Sequence, residues 1–214
     1  QIYDSMTLLL GMNPAKHQYK IMGLAPFASE FHKKGPRKIF MDSLKVKNLN
    51  FIRSKNMTDY FFYFKEKLKM FRFDGIAGGL QDFLEIRLVE WFKQISKKTK
   101  INDFIFSGGV ANNVKANKIL TDQNFIKSLF VPAGPGDETL SIGAAYAANI
   151  EFVGFKKTKL LSKFNPNAYL GNDISKKDFK QFKNSFYIKK NYKFFKDVKF
   201  KLAAKALSKG SILL

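Results

Sequence analysis

Short stretches of this 214-residue chain combine residue types that chemistry can use. In Phe106-Ser107-Gly108-Gly109-Val110-Ala111-Asn112-Asn113, an apolar run enters two glycines and then a segment of helical character. Glycine lets a backbone approach a phosphate or ribose without a clashing side chain, and a helix N-terminus offers free N–H groups and a positive dipole. Asn113 adds an amide that can both donate and accept. A tight strand-to-helix turn with no ligand would use the same residues, and both readings stay open on this segment alone.

A second stretch, Val131-Pro132-Ala133-Gly134-Pro135-Gly136-Asp137-Glu138-Thr139, repeats the arrangement with an acidic residue after the last glycine. Asp137 there can coordinate a hard cation or orient a nucleophile. It can equally be an N-cap that stabilises the following helix by about 1 kcal/mol. A third stretch, Lys20-Ile21-Met22-Gly23-Leu24-Ala25-Pro26-Phe27, offers Lys20 to an anion, although a lysine in so lysine-rich a chain is most simply a surface residue. His17 reads as a surface or hydrogen-bonding histidine.

These segments need elements to hold them. Residues 3–11 read as a short helix closed by Gly11, with a turn at Asn13-Pro14. Residues 17–27 read as a loop with an embedded apolar run, and residues 36–57 as irregular or weakly β, alternating over 45–49. Asp74 is placed to cap a long helix whose apolar positions run from Ile76 to about Ile95, with a basic end at 97–100 that suits the negative pole. Residues 103–106 predict a strand buried on both faces, and a helix follows from about 112 to 120. Residues 129–131, 132–137 and 139–149 repeat the strand, loop and helix. Two such units in succession predict an α/β sheet with a ligand at the carboxyl ends of its strands. Beyond a linker, short helices are expected at 175–182, capped by Ser175, and at 198–209, ahead of a strand beginning at 211.

Composition narrows the chemistry. Cysteine is absent, which excludes disulfides, thiolate metal sites and a cysteine nucleophile. His17 and His32 are the two histidines, so a three-histidine site is excluded and a metal must draw on carboxylates or on ligands outside this chain. The formal charge of +21 raises nucleic-acid binding. Arginine is nevertheless scarce (Arg37, Arg53, Arg72, Arg87), and the lysine runs are interrupted by aromatics, so a solvated basic surface is favoured and nucleic acid is not expected as a partner. Neither a membrane span nor a signal peptide is evident, and the expected location is cytoplasmic.

Taken together, in their order and spacing, these segments resemble the O-carbamoyltransferase family that includes the nodulation-type and antibiotic-tailoring enzymes. The segments that carry the likeness are Tyr19-Lys20-Ile21-Met22-Gly23-Leu24-Ala25-Pro26, then Ser107-Gly108-Gly109-Val110-Ala111-x-Asn113, then Gly136-Asp137 with the small-residue helix Ile142-Gly143-Ala144-Ala145. Tyr169-Leu170-Gly171 and the segment 202–210 resemble the family's lead-in to a second domain. Asn112 and Thr139 depart from the residues usual at those places.

The resemblance implies an α/β fold: the second half of an actin-like ATPase (ASKHA) domain over residues 1–153, a linker at 154–168, and the beginning of a YrdC-like α+β domain at 169–214. It implies ATP, used as carbamoyl-adenylate made with carbamoyl phosphate, and a small-molecule hydroxyl acceptor, and it leaves room for a homodimer. By the same resemblance Gly108, Gly109, Val110, Asn113, Gly136 and Lys20 contact the nucleotide. Asp137 joins two histidines on a divalent metal, iron in better-known members. No catalytic residue is assigned. The family's histidine pair is expected upstream of residue 1 and most of the second domain downstream of Leu214, so these residues alone are not expected to catalyse transfer. A tRNA threonylcarbamoyladenosine-type transferase and a non-catalytic nucleotide-binding module are the alternative readings.

Overall fold

The computed structural model describes residues 1–55, 57–154, 172–191 and 200–211. It divides into two units, Gln1–Pro166 and Asn167–Leu214. In the first, helices α1 (Ile2–Leu9), α2 (Pro14–Leu24) and α3 (Glu30–Ser43) precede a hairpin of β1 (Leu44–Lys47) and β2 (Asn50–Arg53). Helix α4 (Tyr60–Leu68) leads to the 27-residue helix α5 (Phe73–Thr99). Then follow β3 (Asp103–Ile105), α6 (Val114–Thr121), β4 (Ser128–Phe130) and α7 (Leu140–Val153). The result is a mixed α/β fold, mostly helical, with two small sheets among the described residues.

Where a loop is expected at 17–27, the chain is helical. Asn13-Pro14 starts α2 instead of ending a segment: the Asn13 side chain accepts from the Ala15 N–H at 2.9 Å, and Pro14 takes the first helical position, where a missing N–H costs nothing. The expected irregular stretch after 36 is also partly helix. Ser29 caps α3, which continues through Pro36 to Ser43 before the hairpin begins. Asn48 and Leu49, both at positive φ, make the two-residue turn that joins β1 to β2.

Helix α5 organises both cores of this unit. Its first half gives Ile76, Ala77, Leu80 and Phe83 to a cluster with Met6, Ile21, Phe40, Met57, Phe64 and Leu68. Its second half gives Leu88 and Phe92 to a cluster with Phe106, Ala111, Ala116, Leu120 and Ile126. Arg72, and not Asp74, holds the cap position; Asp74 sits in the first turn, accepting from the Gly75 N–H at 2.9 Å and pairing with Arg72.

The crossing of α5 with α3 depends on glycine. A Cβ on Gly75 would meet the His32 carbonyl oxygen at 2.6 Å, and one on Gly79 would meet the Arg37 amide nitrogen at 2.6 Å. Pro36 has no N–H to offer the His32 carbonyl four residues back, and the Gly75 backbone packs against that same carbonyl. Asp82 then ties the helices at the surface, 3.0 Å from Lys33 Nζ and 2.8 Å from Arg37 Nη1.

Strands β3 and β4 pair in parallel, Phe104 opposite Leu129, in the manner the two strand-loop-helix units predict. Burial on both faces is not found: Asp103 is exposed and Ile105 is 78% exposed. Among the described residues the sheet has two strands, and α5 and α6 cover the side of Phe104 and Phe106, leaving Ile105 on the other. Helices α6 and α7 start later than expected because 3₁₀ turns, Gly109–Asn112 and Asp137–Thr139, precede them.

The second unit contains α8 (Lys176–Asn184), α9 (Phe186–Asn191) and α10 (Phe200–Ser208). Ser175 caps α8 as expected, accepting from the Asp178 N–H at 3.1 Å, whereas α9 was not foreseen. Most of the expected linker, the Tyr169-Leu170-Gly171 motif and residues 212–214 of the expected final strand lie outside the described residues. Among the described residues no helix is long and apolar enough to cross a membrane.

Candidate functional site

The loop that leaves β3 is anchored before it reaches its glycines. Phe106 continues the strand pairing, its N–H donating to the Phe130 carbonyl at 2.9 Å, and its ring meets Phe92 edge-on at 5.3 Å. Gly108 then turns at φ 101 and ψ 165, a conformation suited to glycine. Its N–H donates to the Pro135 carbonyl at 2.6 Å, and the Ser107 hydroxyl donates to the same oxygen at 3.0 Å. The two glycine-rich segments are therefore bonded to each other at the carboxyl ends of paired strands. Gly109 opens the 3₁₀ turn with nothing within 4 Å of where a Cβ would stand.

Beneath the loop, Asn113 is 8% exposed. Its Oδ1 accepts from the Ala116 N–H at 2.9 Å, capping α6. The same amide forms a reciprocal pair with Gln81 of α5: Gln81 Nε2 donates to Asn113 Oδ1 at 3.0 Å, and Asn113 Nδ2 donates to Gln81 Oε1 at 2.9 Å. Gln81 is fully buried and completes its bonding through Glu85 Oε1 at 2.8 Å and the Tyr3 hydroxyl at 2.7 Å. Burial pushes the Tyr3 hydroxyl well above its ordinary range, the Asn113 bond lowers it and the Glu85 carboxylate raises it further, so the phenol remains a donor. Lys115 pairs with Glu85 at 3.4 Å.

Two concavities meet on the loop, Gly109 lining one and Gly108 the other. The first, of about 310 Å³, is lined by Gly109, Val110, Asn112 and Asn113, with Tyr3, Asp4, Gln18 and Tyr19 from α1 and α2. The second, of about 340 Å³, is lined by Gly108, Gly136 and Asp137 together with Ser107, Thr139 and the small residues of α7. Six of the seven residues singled out from the sequence thus border one cavity or the other. Lys20 borders neither and is exposed on α2.

Asp137 is exposed and begins the short 3₁₀ turn; Gly136 holds the cap position, and no side chain caps that turn or α7. The capping role considered for Asp137 is therefore absent from this structure. Both histidines serve helix starts. His17 Nδ1 accepts from the Asn13 N–H at 3.2 Å, and His32 Nδ1 lies 2.9 Å from Ser29 Oγ. Among the described residues no group of three His, Cys, Asp or Glu side chains comes together to hold a metal ion.

A family profile described as "Carbamoyltransferase N-terminus" matches residues 1–146, which takes in both glycine-rich segments and the network beneath them. The chain belongs to the carbamoyltransferase family. Its curated relatives include "Uncharacterized protein MJ1058" of Methanocaldococcus jannaschii, 26% identical over 222 residues that cover 99% of this chain and 35% of that protein. "Uncharacterized protein MJ1051" of the same organism is 26% identical over 167 residues, covering 68% of this chain and 29% of that protein. The chain spans about a third of the length of these relatives.

In this carbamoyltransferase chain, Tyr3, Gln81 and Glu85 are the site-supporting residues that sequence reasoning missed. A signal existed for Gln81: it lies on the buried stripe of α5 with Ala77 and Leu80, where a polar residue must find a partner. Periodicity counts apolar positions and passes over such an exception.

Proposed function

We propose that this chain supplies the nucleotide-binding half of an actin-like domain in an O-carbamoyltransferase, with residues 169–214 beginning a YrdC-like domain. The reaction is transfer of the carbamoyl group of carbamoyl-adenylate, formed from carbamoyl phosphate and ATP, to a hydroxyl of a small-molecule acceptor. The acceptor oxygen forms the new bond to the carbamoyl carbon, the bond from that carbon to the adenylate phosphate oxygen breaks, and AMP leaves as the hydroxyl proton is lost.

Family membership supports carbamoyl transfer. The observation that carries the nucleotide reading is the junction of the two loops through Pro135, with Gly109 open to close approach on one side. Phosphates suit backbone that a side chain does not shield, and the anchoring of Phe106 and Asn113 holds that backbone in place before a ligand arrives. Asp137 is proposed as one carboxylate ligand of a divalent metal, iron by resemblance. The described side chains do not form a metal centre by themselves, so its other ligands must come from elsewhere.

Two measurements test the reading. The protein carrying this chain, given carbamoyl phosphate, ATP and candidate hydroxyl acceptors, should yield a product heavier by one carbamoyl group in mass spectrometry. AMP binding should be strong in the unmodified protein and lost in Gly109→Val. Equal affinity in the two would remove the loop from the site.

A further inference from the structure

We propose that Asn112, and not its neighbour Asn113, supplies the side-chain amide that meets the nucleotide in the cavity beside Gly109, while Asn113 is a positioning residue held by Gln81. This rests on the nucleotide-binding reading above and deepens it.

The bonding capacity of Asn113 is already filled. Its oxygen accepts from Gln81 and from the Ala116 N–H, and its nitrogen donates to Gln81 and, at 3.4 Å, to the Tyr3 hydroxyl. Turning that amide toward a ligand would strip a partner from the fully buried Gln81 and uncap α6. A buried polar group left without its partner loses the hydrogen bond that offset its removal from water.

Asn112 stands in the opposite condition. It is exposed, lines the same cavity, and has no side-chain hydrogen bond among the described residues. Its direction is set by its neighbours. Ala111, 1% exposed, is sunk in the second core, and its carbonyl accepts from Asn117 Nδ2 at 2.7 Å; Asn113 is pinned from below. With both flanking residues facing inward and the turn closed by the Ala111 N–H to Gly108 at 2.9 Å and the Asn113 N–H to Val110 at 3.0 Å, Asn112 is left on the cavity side.

The cavity wall shows which end of a nucleotide suits it. Asp4, hydrogen-bonded to Gln18 Nε2, places a carboxylate there, with Tyr3 and Tyr19 nearby. A carboxylate repels phosphate and accepts from a hydroxyl, and an amide both donates and accepts, so Asn112 faces the sugar and base and not the phosphate.

Calorimetric titration of AMP into the protein carrying this chain tests the assignment. Asn112→Ala should bind AMP about tenfold more weakly, the loss of one hydrogen bond to an exposed side chain, with an unchanged melting temperature. In a Gln81→Leu background the same substitution should cost less than about twofold, because Asn112 is no longer held in place. A purely structural role for Gln81 would leave the cost of Asn112→Ala the same in both backgrounds, and that result overturns the positioning role. Should Gln81→Leu fail to fold, Asn113→Asp keeps the acceptor oxygens for Ala116 and Gln81, removes the donor, and carries the same cycle. Wild-type affinity in Asn112→Ala alongside lost affinity in Gly109→Val overturns the assignment and leaves the nucleotide reading standing; absence of AMP binding in the unmodified protein overturns both.

Discussion

The Gly108 amide donates to the Pro135 carbonyl at 2.6 Å, so two glycine-rich segments 27 positions apart in sequence behave as one assembly. Gly108 reaches that carbonyl at φ 101, where an L side chain is strained. Gly108→Ala should therefore lower stability by about 1–2 kcal/mol. Urea unfolding of the two proteins would show it, and an unchanged midpoint would mean that the turn relaxes without cost.

Gly109 shares with its neighbour the open space where a Cβ would stand, and differs from it in having no positive φ. Gly109→Val should leave the melting temperature within a few degrees of the unmodified protein while weakening AMP binding at least about tenfold, through a clash with ligand and not with protein. A large drop in melting temperature would assign the glycine to folding.

Asp137 makes no capping bond, so Asp137→Asn should change stability by less than about 0.5 kcal/mol. If the carboxylate is a metal ligand, elemental analysis of the purified protein should show metal content falling in the same variant. Retained metal together with retained transfer activity would remove Asp137 from the site.

Two glycine substitutions should move stability in opposite directions. Gly79→Ala forces a Cβ against the Arg37 amide nitrogen at 2.6 Å and Pro36 Cβ at 2.9 Å, and should destabilise by about 1–3 kcal/mol. Gly143→Ala, in α7 with nothing within 4 Å, should stabilise by up to about 1 kcal/mol through the lower entropy of the unfolded chain. Chemical denaturation of both variants checks the contrast.

Hydrogen bonds from Lys33 and then Arg37 hold the Glu30 carboxyl below its usual 4.5, and the Arg72 hydrogen bond, opposed by desolvation and aided by the Gly75 N–H, holds Asp74 below its usual 3.8. A depressed carboxyl stabilises the folded state above its ordinary value, and that stability is lost as pH falls through the lowered one. Unfolding followed from pH 5 downward should thus show an acid limb that is shallower in Glu30→Gln, with both proteins parallel above about pH 5. Divergence only at neutral pH would assign the effect to something other than titration.

Much of this protein was legible in its sequence because the relevant forces are local. The strand, glycine loop and helix of each unit can be read from apolar runs that end in glycine and proline, and β3 and β4 pair in parallel at nearly the positions expected. The long helix was visible for the same reason, since α5 repeats its apolar positions over 27 residues. Asn13-Pro14 shows where local rules run out: the pair suits a turn or a helix start, and packing of Ile21 in the first core favours the helix.

Contacts across the chain were beyond the reach of such rules. The sequence by itself determined the glycine-rich segments, Asp137 and the order of elements from α5 to α7, because backbone freedom and apolar periodicity act over a few residues. Only the tertiary structure decided that Gln81 and Tyr3 complete the bonding of Asn113, that Gly75 and Gly79 admit α3, and that Lys20 lies away from both cavities. A buried amide must find a partner wherever the fold places one, and for Asn113 that partner stands 32 residues away on another helix.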